Sequence, residues 1–229
     1  MFRVRSLVLL LPLALAGCIF GGGDGHDARR PAPIAPRPAG PITLNTQPNA
    51  DTRQCYGELA RADVRFTPVP DQDFGSGCMV AGAVQLNDIG VPVSGLRSMR
   101  CPLANTFTAW VRHGVVPAAR EILGSDVVQV VSYGTYSCRG INGGGEAASR
   151  RLSEHAFANA VDIAGFQLAD GRRVMVEGGW NSPDPDVRRF FRVIHTSACR
   201  RFQTVLGPEY NAAHHNHLHF DMGRGPFCR

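Results

Sequence analysis

No lysine occurs among the 229 residues: all 24 basic side chains are arginine, against 19 acidic ones. The resulting formal charge of +5 is a modest surplus. No arginine stripe is interleaved with aromatics, which argues against a nucleic-acid surface. A surplus of this size fits attraction to an anionic wall polymer instead. No two cysteines stand at the C-x2-4-C spacing of a structural zinc cluster. No internal repeat is visible. Only one apolar run stands out. Leu7 to Ala16 follows Arg3 and Arg5 and is too short to span a bilayer as a mature helix. Nothing later in the chain is long and apolar enough to do so.

Residues 1–17 therefore read as a signal peptide, whose loss would lower the formal charge by two, to +3. Leu15-Ala16-Gly17-Cys18 resembles a bacterial lipobox, in which Cys18 carries lipid and becomes the new N-terminus. An ordinary secretory signal with Cys18 incidental is the alternative. Ile19 stands where Asp would favour inner-membrane retention, so the expected location is the periplasmic face of the outer membrane. From Ile19 to Pro41 the chain is a linker: Gly21-Gly22-Gly23 opens it, and five prolines from Pro31 to Pro41 stiffen it. In polyproline II form, at about 3.1 Å per residue, it reaches up to roughly 70 Å. That length lets a membrane-anchored domain touch peptidoglycan; a plain spacer of untuned length is the other reading. The organisation expected is 1–17 leader, 18–48 lipidated cysteine and linker, and 49–229 one domain. Setting Cys18 aside leaves six cysteines. In an exported chain an even count points to disulfides, with fifteen connectivities open. The working pairing is Cys55–Cys78, Cys101–Cys138 and Cys199–Cys228.

Periodicity outlines the domain. Ala81 to Leu86 and the β-branched Val127 to Tyr133 read as strands. Pro102 to Leu123 has helical spacing, with Pro117 expected to kink or break it. Val161 to Leu168, Ala169-Asp170-Gly171 and Arg173 to Val176 read as a hairpin. Val187 to Phe202 is an amphipathic helix with Phe190, Phe191, Ile194 and Ala198 inward. The order is α+β: an antiparallel sheet with helices packed on one side, stapled by disulfides. Trp110 and Trp180 read as core or pocket wall, with Trp180 a candidate to line a cleft. His113 and His195, in helical stretches, read as packing or surface residues.

Four of the eight histidines fall within His214-His215-Asn216-His217-Leu218-His219. On a strand, alternation puts His217, His219 and Asp221 on one face and Leu218, Phe220 and Met222 on the other. Upstream, His155 and Asp162 are separated by small or apolar residues. His155, Asp162 and one histidine of the 217/219 pair form a set of the kind catalytic zinc takes, with a fourth position left to water. Asp221 either orients His219 from outside the metal shell or is a solvated strand end. Ser153 reads as the cap of a turn, and Glu154 as solvated.

Ser153-x-His155-x-x-Ala158-x-Ala160-x-Asp162 is similar to the S-x-H-x-x-G-x-A-x-D motif of LAS-type zinc peptidases. These include D-alanyl-D-alanine dipeptidases and carboxypeptidases, and murein endopeptidases. His217-x-His219 resembles their closing H-x-H, and His214-x-x-His217-x-His219 their endopeptidase branch. From Cys55 to Cys228 the chain also resembles the bacterial extensin-like C-terminal domain family, in its cysteines, in Tyr136-Ser137-Cys138-Arg139 and in Ser153-Glu154-His155. The resemblance implies a zinc enzyme acting on peptidoglycan stems or cross-links, with His155, Asp162 and His219 as ligands. His217, assisted by His214, is then the base, and Arg139 sits near the substrate. Two departures stand out. Ala158 replaces the motif's glycine, which matters only if the backbone there needs φ > 0. Asn216 replaces the acidic base of the carboxypeptidases and cannot take a proton. The rival expectation is a wall-binding or scaffolding domain that keeps a metal for stability without turnover.

Overall fold

The computed structural model describes residues 40–143 and 145–229. The expected leader, Cys18 and the linker up to residue 39 lie outside the described residues. Seven short strands come first: β1 (Ile42–Thr43), β2 (Arg65–Val69), β3 (Gln72–Gly75), β4 (Cys78–Val80), β5 (Ala83–Asp88), β6 (Val93–Ser94) and β7 (Met99–Arg100). Six follow a long helical stretch: β8 (Val127–Gly134), β9 (Ala160–Leu168), β10 (Arg173–Met175), β11 (Thr204–Leu206), β12 (Leu218–Asp221) and β13 (Phe227–Cys228). Strand β1 falls within the stretch expected as linker and pairs with β3, so the described fold starts before Asn49.

The central sheet runs β13-β11-β12-β9-β8-β6, with β10 also on β9. Its middle pairings are antiparallel, as expected, but β6–β8 and β11–β13 at its edges are parallel. Two smaller antiparallel sheets, β1-β3-β4 and β2-β5-β7, complete the strands. The β9–β10 hairpin and strand β8 stand where the pattern put them.

The helix Cys101–Trp110 continues through a π-type turn (Val111–Val115), a short α segment (Val116–Ala118) and a second π turn to Leu123. Pro117 thus neither breaks nor ends the helix. Its missing N–H follows a stretch already wound at i→i+5, which opens the ladder where the ring would otherwise meet a carbonyl. Gly124, at φ 65°, closes the run. The helix Pro185–Cys199 is capped by Asp184, whose carboxylate accepts from the amides of Asp186 and Val187. Its Phe190, Phe191, Ile194 and Ala198 are fully buried. Trp110 is the centre of the core. Its indole N–H donates to the Ile194 carbonyl at 3.0 Å, and its ring meets Phe220 edge-on at 4.9 Å. Trp180 is buried beneath Arg192, with its N–H given to Glu209 at 3.2 Å.

Three disulfides staple the fold: Cys55–Cys101, Cys78–Cys138 and Cys199–Cys228. The last is the expected one. The first two correct the working pairing of sequence neighbours. Cys55 lies on the helix Ala50–Arg61, which packs against the helix that Cys101 begins. Cys78, on β4, lies against the segment around His155 and so meets Cys138.

Candidate metal centre

Strand β12 lies antiparallel to β9 with His219 opposite Asp162 and Asp221 opposite Ala160. Directly opposed residues on neighbouring strands share a face, so the imidazole and the carboxylate meet by register alone. On the other face Leu218, Phe220, Val161 and Ile163 are fully buried in the core. The β8–β9 register slips between Val131 and Ser132, where Ala164 is left without a partner. That bulge flips the alternation. Asp162 therefore faces the cleft, whereas Phe166, four residues on, packs against Phe190 and Trp110 in the core.

His155 arrives on a 3-10 turn, Glu154–Phe157. The hydroxyl of Ser153 accepts from the His155 amide, so Ser153 caps that turn, as expected. The turn closes on Ala158 in the left-handed region, at φ 50° and ψ 30°. The backbone there does need φ > 0, the conformation for which glycine is the ordinary residue. The Ala158 carbonyl then accepts from the Arg100 amide and locks the turn to β7.

The three expected ligands converge. His155 Nε2 lies 3.2 Å from Asp162 Oδ2 and 3.2 Å from His219 Nδ1, and His219 Nδ1 lies 2.9 Å from Asp162 Oδ1. The outer nitrogens are engaged elsewhere. His155 Nδ1 donates to the Thr135 carbonyl at 3.1 Å, and His219 Nε2 donates to Asp221 Oδ2 at 3.0 Å. These bonds set the tautomers and turn the lone pairs of Nε2 and Nδ1 inward, beside the Asp162 carboxylate. Three acceptors facing one another in a buried place need a cation between them. Tetrahedral zinc, with Zn–N near 2.0–2.1 Å, sets its ligand atoms about 3.3 Å apart, so the residues fit that ion. Asp221 is buried rather than a solvated strand end.

The electrostatics carry the same signature. Burial opposes ionisation of Asp162, but its close contacts with His155 and His219 overcome it and hold the carboxyl well below its usual range. Burial likewise opposes charge on His219, but hydrogen bonds to Asp162 and Asp221 push the imidazole up to about 9. In the metal-free state, a proton on His219 is the cation.

His217 precedes β12 and brings Nε2 to 3.6 Å from Asp162 Oδ1. Its Nδ1 donates to Asn216 Oδ1 at 2.9 Å, which leaves Nε2 as the acceptor. Asn216 thus orients the His217 ring. Burial lowers the His217 pKa, so the ring is neutral at pH 7. His214 is buried, bonded through Nδ1 to Asn211 Oδ1 at 2.7 Å, and pushed down to about 4 by burial and by the nearby His219 and His217. His215 is exposed.

An open cleft of about 700 Å³ lies over His214, His217 and His219, with Arg139 on its wall. Glu154 is not merely solvated: it too lines this cleft, where Asn159 Nδ2 donates to its Oε2 at 2.7 Å. Sequence reading missed that role, because a Glu beside a motif histidine has no periodicity to mark where it points. A second group of potential ligands, His195 with Cys199 and Cys228, is occupied by the disulfide between its two sulfurs.

No curated protein and no solved structure matches the chain. A family model does, over residues 53–229, the span that carries the cysteines, Arg139, the His155 turn and the closing histidines. The chain belongs to the extensin-like protein C-terminus family.

Proposed function

We propose that this chain is a zinc-dependent peptidase of peptidoglycan stems or cross-links, with His155, Asp162 and His219 holding the metal. The observation that supports this most is the inward convergence of three acceptor atoms whose outer partners, the Thr135 carbonyl and Asp221, fix them in metal-binding form. Bound zinc would lower the pKa of a water and polarise a peptide carbonyl. His217, neutral and with Nε2 free, takes the proton in hydrolysis and returns it to the leaving amine. His214 supports it from the loop as a second neutral acceptor. Arg139, half-buried on the cleft wall, faces the substrate and steadies a carboxylate or a developing oxyanion. The similarity of Ser153 to Asp162 and of His217-x-His219 to the LAS-type motifs supports the same reading. With the leader and Cys18 as read, the enzyme is a lipoprotein on the periplasmic face of the outer membrane.

The rival is a wall-binding domain that keeps a metal without turnover. Release of muropeptides from purified sacculi, with zinc measured on the same sample, separates the two. Wild type should release fragments. His217→Ala should keep its zinc and lose about 10²–10⁴-fold in rate, the usual cost of a missing general base. Zinc-loaded but inactive wild type would establish the binding domain instead.

A further inference from the structure

The cleft is lined by charges of both signs that do not pair with one another. Glu154, Arg139, Arg151 and Arg224 all line it. Arginine ion pairs among the described residues involve Arg65, Arg120, Arg150, Arg172 and Arg192, and none of the three cleft arginines. Glu154 is held away from them. Asn159 grips one of its oxygens, and the other abuts Gly223, where any Cβ would collide with the carboxylate. Gly223 is in turn set by its amide, which donates to Asp221 Oδ1 at 2.8 Å. The carboxylate therefore stands on the Asp221 side of His219. The Arg139 guanidinium is tied to the Gly140 carbonyl at 3.2 Å, and its charge is felt at His214 and His217. A pinned carboxylate and guanidiniums free of ion pairs on the same cleft wall give the cleft charges of both signs. Its complement is a ligand that carries both a cation and an anion.

We infer that Glu154 is a specificity-determining residue that receives a free ammonium of the substrate, while Arg151 and Arg224 receive a nearby free carboxylate. The substrate class is a peptide whose residue next to the cut bond is zwitterionic, as a diamino dicarboxylic residue is when one amino–carboxyl centre is left free. This rests on the peptidase reading for its setting, but it concerns binding and is tested apart from turnover.

The test is calorimetric titration of the full zinc-loaded chain with three probes. These are a cross-linked muropeptide with a free amino–carboxyl centre, the same compound N-acetylated there, and the same compound with that carboxylate amidated. Wild type should bind the parent about tenfold or more tighter than either derivative, as loss of a charge-assisted contact implies. Glu154→Gln should weaken the parent to the level of the N-acetylated form and leave the latter unchanged. Gly223→Ala should do the same by displacing the carboxylate without removing it. Arg151→Gln with Arg224→Gln should remove only the discrimination against the amide. Zinc content should stay at the wild-type level throughout. Equal binding of all three probes by zinc-loaded wild type would overturn the inference and leave the peptidase reading standing. A Glu154→Gln enzyme with unchanged KM and a fallen kcat would overturn it too, making Glu154 a proton acceptor. Discrimination in a protein that never cleaves would uphold the subsite while sinking the peptidase reading.

Discussion

His219 is held at both ring nitrogens, by Asp162 on the metal side and by Asp221 behind. This makes proton and metal competitors for one atom. The folded imidazole sits at about 9, above its ordinary 6.5, so in the metal-free protein its contribution to stability is complete below about 6.5 and is lost as pH rises through 9. Asp162 is depressed below its ordinary 3.8, so its contribution is present above that value and fades as pH falls. On the zinc reading proposed above, a bound ion would have to expel the His219 proton. Its affinity, read by competition with a chelator, should rise by roughly tenfold per pH unit between 7 and 9; a flat profile would show that His219 carries no proton to lose. His155→Ala and His219→Ala should each abolish stoichiometric zinc. Asp221→Asn should weaken the metal or the rate by only about 10–100-fold. Ala158 is a separate case. Left-handed backbone costs an L-residue about 1–2 kcal/mol, while Ala→Gly gives up a buried methyl of about 0.8 and adds backbone entropy of about 0.5–1. Ala158→Gly should therefore leave the denaturation midpoint within about 1 kcal/mol of wild type, with zinc retained. Ala158→Val, β-branched at φ > 0 in a fully buried position, should be severely destabilised.

Among the elements, β9 joins the site to the core. Its first residues face β12 and carry Asp162; past the bulge, Phe166 faces the helices. The Cys78–Cys138 disulfide ties β4 to the segment that places Arg139 and backs the His155 turn: the Ser137 amide donates to the His155 carbonyl, and the Ser153 amide to that of Arg139. Closing a loop across 60 residues confers about 4 kcal/mol in the chain-entropy model, and removal of native disulfides typically costs about 2–5. Cys78→Ser with Cys138→Ser should lower unfolding free energy by that amount in denaturant melts. It should also weaken substrate binding more than zinc binding, because β9 and β12 hold two of the three proposed ligands without it. Equal loss of both would mean that the disulfide supports the ligand set itself.

On the scale of the whole molecule, the site lies where the central sheet, the His155 turn and the loop before β12 meet, with the cleft open above and the core below. No described helix is long and apolar enough to cross a membrane. The proposed lipid attachment at Cys18 lies outside the described residues. Cys18→Ala should move the protein from the membrane to the soluble periplasmic fraction, with sacculus digestion by the purified protein unchanged. Persistence on the membrane would assign its retention to wall binding.

Much of the candidate metal centre was legible in the chain. His219 and Asp221 share a strand face because side-chain period in a strand is two, and that rule needs no tertiary information. The apolar partners Leu218 and Phe220, and the inward stripe of Pro185–Cys199, follow from the same kind of periodicity. Pairings between distant segments did not. Cys55 reaches Cys101 because two helices pack, and Cys78 reaches Cys138 because β4 lies against the His155 turn; no local pattern encodes either contact. Pro117 stays within its helix because the preceding π turn absorbs the lost hydrogen bond, a ladder shift invisible in residue types. Asn216 looked like a missing base until its amide was seen to orient His217. Glu154 looked solvated until Asn159 and Gly223 were seen to pin it. Residue type and spacing specify which face a side chain takes; which partner waits on that face is set by the closure of segments far apart in the chain.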